Sequence, residues 1–218
     1  MDALIRRDIL MVWRSPGQWL TSLGFFAIFL FVSIIALGAN TPSLMSLGPE
    51  LIWLACIFSL LLSLPELFQS DFEDGSLEHL ILSGIGSFGI VLAKAITFFS
   101  CNVVPLLFII PFASLWFGLD IKTISATALS ILFAAPAITA YGVMSAAILS
   151  GNKQSGMMII LITLPFLIPV VIFGLGAVDS YAENGLRAVE FQALIGLGLI
   201  ALAVGIPAAA AAIKANLE

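Results

Sequence analysis

The sequence predicts an all-α integral membrane protein with six transmembrane helices, preceded by an amphipathic helix and interrupted by one acidic segment. Three observations carry this. Hydrophobic residues make up 61% of the 218-residue chain and charged ones only 10%, whereas about a quarter of a soluble domain is charged. The mean hydropathy is +1.17. Six apolar stretches of roughly 20 residues each, the length needed to cross a hydrocarbon core, follow one another with short connections, so a single membrane domain, residues 1–218, fills the chain.

The N-terminal segment, residues 1–17, reads as an interfacial helix. Ile5, Ile9, Val12 and Trp13 recur at helical spacing, with Asp2, Arg6, Arg7 and Arg14 largely on other faces. Ser15-Pro16-Gly17 ends it. Small residues at Ala36 to Ala39 resemble a signal-peptidase site, and Arg6-Arg7 faintly resembles a twin-arginine export signal. The run from Gln18 to Gly38 is nevertheless span-length and rich in Phe, so it reads as a first span and the arginines as topological anchors.

The first span is expected at Trp19 to Leu37, closed by Gly38 to Pro42. The others are expected near Leu51–Pro65, starting before Glu50, then Ala95–Phe117, Thr123–Leu149, Gly156–Val178 and Phe191–Ile213. Pro105, Pro111, Pro136, Pro165, Pro169 and Pro207 lie inside spans, where each removes a backbone donor and is expected to kink or break its helix. Ala201, Gly205 and Ala209, and likewise Gly142, Ala146 and Ser150, form small-residue faces that suit either internal packing or a seam between two copies.

Arg6, Arg7, Arg14, Lys94, Lys153 and Lys214 fall on one side of the membrane, and Lys122 and Arg187 on the other. By the positive-inside rule both termini are cytoplasmic. Residues 179–190 then form the charged outer loop, with the potential for a short helix lying at that face. The connection between spans two and three, residues 66–88, is cytoplasmic and holds Glu66, Asp71, Glu73, Asp74 and Glu78. Phe68 and Phe72 are four apart, and Leu77, Leu80 and Ile81 form a second apolar set. Such faces need cover, and five acidic residues disfavour an anionic leaflet as that cover. A soluble partner with an apolar groove and a basic rim fits them.

Catalytic and cofactor chemistry find little support. Cys56 and Cys101 lie in apolar spans without metal or haem spacing. Gly84-Ile85-Gly86-Ser87-Phe88-Gly89 matches a dinucleotide fingerprint but lacks the strand that must precede it, and reads as a turn. Asp71 and Asp74 could hold magnesium only with a second acidic cluster, which is missing. His79, the one histidine, has no nucleophile beside it, and Lys153 follows Asn152 rather than the glycine of a phosphate loop. The net charge of −5 argues against nucleic acid as a partner.

The stretch from Leu60 to Ser83, with Pro65-Glu66 and Phe72-Glu73-Asp74-Gly75-Ser76-Leu77-Glu78 inside it, strongly resembles the CcmB family, the permeases of bacterial cytochrome c maturation. The likeness extends along the chain, including Trp13-Arg14-Ser15-Pro16. It implies an ABC-2-like permease of the bacterial inner membrane, not itself an enzyme. A separate subunit, CcmA, would bind ATP and magnesium and hydrolyse the nucleotide. In such permeases the interfacial helix (Arg6, Arg7, Trp13, Arg14) and the loop between spans two and three meet the ATPase. The coupling element would comprise Phe68, Asp71, Phe72, Glu73, Asp74, Gly75, Ser76, Leu77, Glu78, Leu80 and Ile81. Gly75 would permit the turn, Leu77, Leu80 and Ile81 would enter the ATPase groove, and Asp74 and Glu78 would pair with its basic rim.

The resemblance further implies a homodimer working with CcmA, CcmC, CcmD and the haem chaperone CcmE. Haem handling generally uses a His or Met ligand, yet the outer side offers only Met45. The chain is therefore expected to bind no cofactor itself and to transmit ATP-driven motion to haem-binding partners. Two other readings share the residues: an ABC-2-type exporter of another lipophilic substrate, and a non-transporting membrane scaffold.

Overall fold

The computed structural model describes residues 2–14, 16–38, 41–82, 84–150 and 155–217. Ser15, Ala39, Asn40, Ser83, Asn152 and Lys153, which entered the reading above, lie outside them, as do the side chains of Asp2, Pro16, Gln18, Trp19 and Glu73. Eleven α-helices and no strand occur among the described residues. They are α1 (Asp2–Arg14), α2 (Pro16–Leu37), α3 (Pro42–Ser46), α4 (Gly48–Ser63), α5 (Glu66–Glu73), α6 (Ser76–Leu82), α7 (Ser87–Phe98), α8 (Val104–Trp116), α9 (Ile121–Ile148), α10 (Ser155–Asn184) and α11 (Val189–Leu217). Six segments are long and apolar enough to cross a membrane: Leu20–Leu37, Gly48–Phe72, Ser87–Trp116, Ile121–Ile148, Gly156–Arg187 and Val189–Asn216. The all-α, six-span expectation holds.

Several boundaries move. Pro16 and Gly17 open α2 rather than closing the interfacial helix, because a proline in the first turn lacks only a donor that has no partner there. The second span does begin before Glu50, at Gly48. The third begins at Ser87, eight residues before the expected Ala95, since Gly86 starts the helix and Lys94 rides inside it. No separate α-helix forms in residues 179–190, and the short helix expected there is a single 3-10 turn: α10 runs on to Asn184, and Gly185 at φ +55° turns the chain through Gly185–Arg187 into α11. The Ser180 hydroxyl donates to Glu190 Oε2 at 2.9 Å across this turn.

The prolines do not break their helices. Pro111, Pro136, Pro165, Pro169 and Pro207 all sit within continuous α-helix. Pro105 is accommodated differently: the preceding residues, Phe99–Val103, form a π-helical segment in which the Val104 N–H reaches the Phe99 carbonyl. This widened turn joins α7 to α8 within one span.

The helix α9 is the centre of the bundle, with 78% of its most apolar window buried against 17% for α2. Lipid tails are as apolar as leucine, so helices associate in a bilayer through close packing and hydrogen bonds. Both operate here. Ala201, Gly205 and Ala209 of α11 are buried, and a Cβ at Gly205 would stand 3.0 Å from the Ala140 carbonyl of α9. Gly142 receives Leu64, and Trp53 lies against Gly174 while its Nε1 donates to Ser130 Oγ at 3.0 Å. The Ser22 hydroxyl donates to the Ser59 carbonyl at 2.8 Å and the Ser59 hydroxyl to the Ser22 carbonyl at 2.6 Å, fastening α2 to α4. Gly142, Ala201, Gly205 and Ala209 thus serve internal packing, one of the two uses expected of the small-residue faces.

Candidate functional site

At the face of the bundle that carries α1, the chain leaves the second span and folds back on itself. Pro65 follows α4, α5 runs to Glu73, and Gly75 at φ +69° reverses the chain into α6. Glycine suits this position because left-handed backbone costs other residues roughly 1–2 kcal/mol. The reversal brings Ser76 back to Asp71, where its hydroxyl donates to Oδ1 at 2.7 Å. A second left-handed glycine, Gly84 at φ +86°, ends α6: the Gly84 N–H reaches Ile81 O and the Ile85 N–H reaches Leu80 O. These two bonds form a Schellman cap. Of the dinucleotide-like glycines, Gly84 and Gly86 are thus cap residues, and Gly89 lies in the first turn of α7.

Asp71 is 2% exposed and sits at the meeting point of three elements. Arg7 of α1 lies 3.0 Å from its Oδ1, and Lys94 of α7 pairs with its Oδ2. Asp8 completes the group, with Arg7 at 2.7 Å and Lys94 at 3.3 Å. Two cations face two anions, so the cluster is neutral as a whole. Burial draws the Arg7 pKa down, but Asp8 and Asp71 more than offset this and leave it raised. A buried charge without a partner is very costly, so α1, the α5–α6 hairpin and the third span are held in one register. Arg7 was expected at the ATPase contact and Asp71 in the coupling element. The structure brings them together with Lys94, which the sequence reading counted only as a topological charge, and with Asp8, to which it gave no role.

The remaining candidates divide by exposure. Phe68 and Leu77 are buried at 0% and 1%, and Phe72, Leu80 and Ile81 are half-buried against the same core. Leu77 therefore cannot enter a partner's groove as expected. The seven-residue α6 turns it inward, where it packs with the chain's own apolar residues. Asp74 and Glu78 are exposed, as are His79 and Leu82. Leu82, which sequence reasoning passed over, is 83% exposed, among the most exposed large apolar residues of the chain. Arg6, Trp13 and Arg14 are exposed on α1.

Two hollows flank α1. One of about 110 Å³ is lined by Asp8, Val12, Ser63, Glu66, Lys94, Thr97 and Asn102, among others. The second, about 130 Å³, is lined by Val12, Trp13, Leu23, Ser100, Cys101 and Pro105. Among the described residues no group of three His, Cys, Asp or Glu side chains could hold a metal ion.

A family model described as "CcmB protein" matches residues 1–216. Curated relatives of the same kind cover nearly all of the chain. "Heme exporter protein B" of Bradyrhizobium diazoefficiens is 33% identical over 100% of this chain and 99% of its own length. The protein of that name from Paracoccus denitrificans is 33% identical over 100% of both. That from Pseudomonas aeruginosa is 35% identical over 83% of this chain and 81% of its own length. With a family match spanning all but the last two residues and relatives aligned end to end, the chain belongs to the CcmB family.

Proposed function

We propose that this chain is the permease subunit of an ATP-binding-cassette transporter of the bacterial inner membrane, serving cytochrome c biogenesis. Its α1 face is cytoplasmic. There a separate ATPase subunit, CcmA, docks on α6, with Leu82 entering its apolar groove and Asp74 and Glu78 meeting the basic rim. ATP and magnesium are held by that subunit. The motion passes through the α5–α6 hairpin to the third span and is spent on haem delivery, or on release of haem-loaded CcmE from an assembly that includes CcmC and CcmD. Two copies of this chain serve two ATPase subunits.

The observation that supports this reading is the Arg7–Asp8–Asp71–Lys94 cluster. It links the two elements expected to meet the ATPase to a membrane span, so a push on α6 is carried into the bilayer rather than lost in a loose loop. Haem is passed between partners rather than ligated here: His79, the sole histidine, lies exposed on α6, far along the chain from Met45 in α3.

The test is co-purification of CcmA with wild type, Glu78→Lys and Leu82→Asp, followed by a cytochrome c maturation assay. Both residues are exposed, so both variants should insert and melt as wild type does while losing CcmA and maturation together. Leu77→Asp would be a poor probe, since it places a charge in the core. Retention of CcmA with normal maturation in both variants would overturn the reading.

A further inference from the structure

The two hollows beside α1 meet at Val12, which lines both. Their walls differ in kind. The first sets charged and hydrogen-bonding groups among the apolar surfaces of Met11, Val12 and Leu67: Asp8 and Lys94, 3% and 7% exposed, the Thr97 hydroxyl, Ser63, Ser70 and Asn102, with Glu66 exposed at the rim. The second presents almost nothing but carbon and sulfur to its interior, from Val12, Trp13, Leu23, Cys101 and Pro105.

The π-helical segment Phe99–Val103 serves both at once, sending Asn102 to the polar hollow and Ser100 and Cys101 to the apolar one. Such segments recur at functional sites, because the extra residue re-aims side chains. A chamber with charged and hydrogen-bonding groups in its wall, separated only by Val12 from the residues of an apolar groove, presents the two chemistries of an amphiphile side by side.

One wall group is unexplained by the fold. Thr97 is 3% exposed, and its hydroxyl has no hydrogen-bond partner. A threonine within a helix ordinarily back-bonds to its own i−4 carbonyl, as Thr127 and Thr163 do in this chain. A hydroxyl left open toward a polar hollow is a group waiting for a ligand. Asn102 makes only a long bond of 3.4 Å to Phe98 O, which leaves its amide able to turn inward.

Charge selects the ligand. In the wall Lys94 faces Asp8, both belong to the four-residue cluster that is neutral as a whole, and Glu66 adds an uncompensated carboxylate at the rim. The excess is one negative charge, which favours a cationic head and disfavours an anionic one. At 110 Å³ the chamber holds far more than the roughly 10–15 Å³ needed for a single water.

We propose that these hollows form a binding site for an aminophospholipid of the leaflet on the α1 side. Its primary ammonium pairs with Glu66 and the nearby serine hydroxyls, its phosphate accepts from Thr97 and Asn102, and one acyl chain lies in the groove beneath Trp13. The occupied site would fill the space between α1 and the third span and stiffen the charge cluster that joins them. It is independent of which ATPase or cargo the chain serves.

The experiment is native mass spectrometry of the full-length protein in detergent micelles doped with palmitoyl-oleoyl phosphatidylethanolamine, phosphatidylcholine or phosphatidylglycerol at equal amounts. One ethanolamine lipid per chain should be retained. Choline lipid, which cannot donate hydrogen bonds, and the anionic lipid should each be held about fivefold less tightly or worse. Glu66→Gln, on the exposed rim, should remove most of that preference. Thr97→Val should lower retention of the ethanolamine lipid without changing the melting temperature of the lipid-free protein. Equal retention of the three lipids, a preference for the anionic one, or an unchanged preference in Glu66→Gln would overturn the proposal. So would equally tight binding of glycerophosphoethanolamine, which has no acyl chains.

Discussion

Lys94, two turns into the third span, closes an ion pair with Asp71 on α5, and both residues are more than nine-tenths buried. A membrane span and the hairpin outside it are therefore fixed to each other by charge as well as by packing. The pair works only as a pair: either partner alone would be a buried charge with half its compensation removed.

A double-mutant cycle should expose that dependence. Asp71→Leu or Lys94→Met alone is expected to cost about 3–5 kcal/mol, since each strands a buried charge. The double variant Asp71→Leu with Lys94→Met should recover much of the loss, because the two removed charges balance. Thermal unfolding in detergent measures this. Additive losses would show that the two residues do not interact in the folded state.

Gly174 should tolerate no side chain while Trp53 holds its present position. The indole lies where a Cβ would stand, and it is pinned by its bond to Ser130. Gly174→Ala is expected to destabilise by about 1–3 kcal/mol through overpacking. Trp53→Phe alone should cost a similar amount, yet combined with Gly174→Ala it should cost less than the sum. Melting curves of the three variants decide the matter.

Two helical glycines should differ in their response to alanine. A Cβ at Gly142 would come within 2.7 Å of Leu64 Cδ2, the movable end of a side chain. One at Gly205 would meet the backbone carbonyl of Ala140 at 3.0 Å, with the Ala140 carbonyl carbon at 3.3 Å. Backbone cannot swing aside, so Gly205→Ala is expected to lower the melting temperature more than Gly142→Ala. The opposite ranking would mean that α9 and α11 slide easily past each other.

Asp120 supplies a pH-dependent cap to α9 on the face opposite α1. Its carboxylate accepts from the Thr123 hydroxyl and from the Lys122 N–H at 3.2 Å. The Thr123 bond, with the backbone donors, holds its pKa below the ordinary 3.8. A depressed carboxylate contributes stability above its unfolded pKa and loses it as pH falls through the folded one. Asp120→Ala should thus lower the melting temperature at pH 7, and the difference from wild type should vanish as the pH drops well below 3.8. A gap that persists in acid would assign the effect to something other than this carboxylate.

Hydropathy made the six spans legible, because the bilayer imposes a length that few other environments require. The amphipathic order of α1 was legible for the same reason, its apolar side chains recurring at helical spacing. The charge cluster was not. Asp71 looks no different from Asp74 or Glu78 in a list of acidic residues, and its partners stand 64 residues away in Arg7 and in another helix in Lys94. Lys94 did carry a signal: it interrupts the run from Ile90 to Ile96, and an ionisable residue inside an apolar helix calls for a partner. Counting it only as a topological charge concealed that demand. Leu77 and Leu82 were inseparable for a different reason, since a helix of seven residues is too short for its period to say which leucine faces the core.

The cluster also sets an order on how the chain can be made. Arg7 and Asp8 precede Asp71 and Lys94 along the chain, so until those two are made each has only the other of this cluster for a partner. Asp71 and Lys94 arrive on the two arms of the second and third spans, so a paired insertion of those arms delivers both remaining charges together. A chain halted between them would hold Asp71 without its lysine, a half-built state that carries the cost of an unpaired charge.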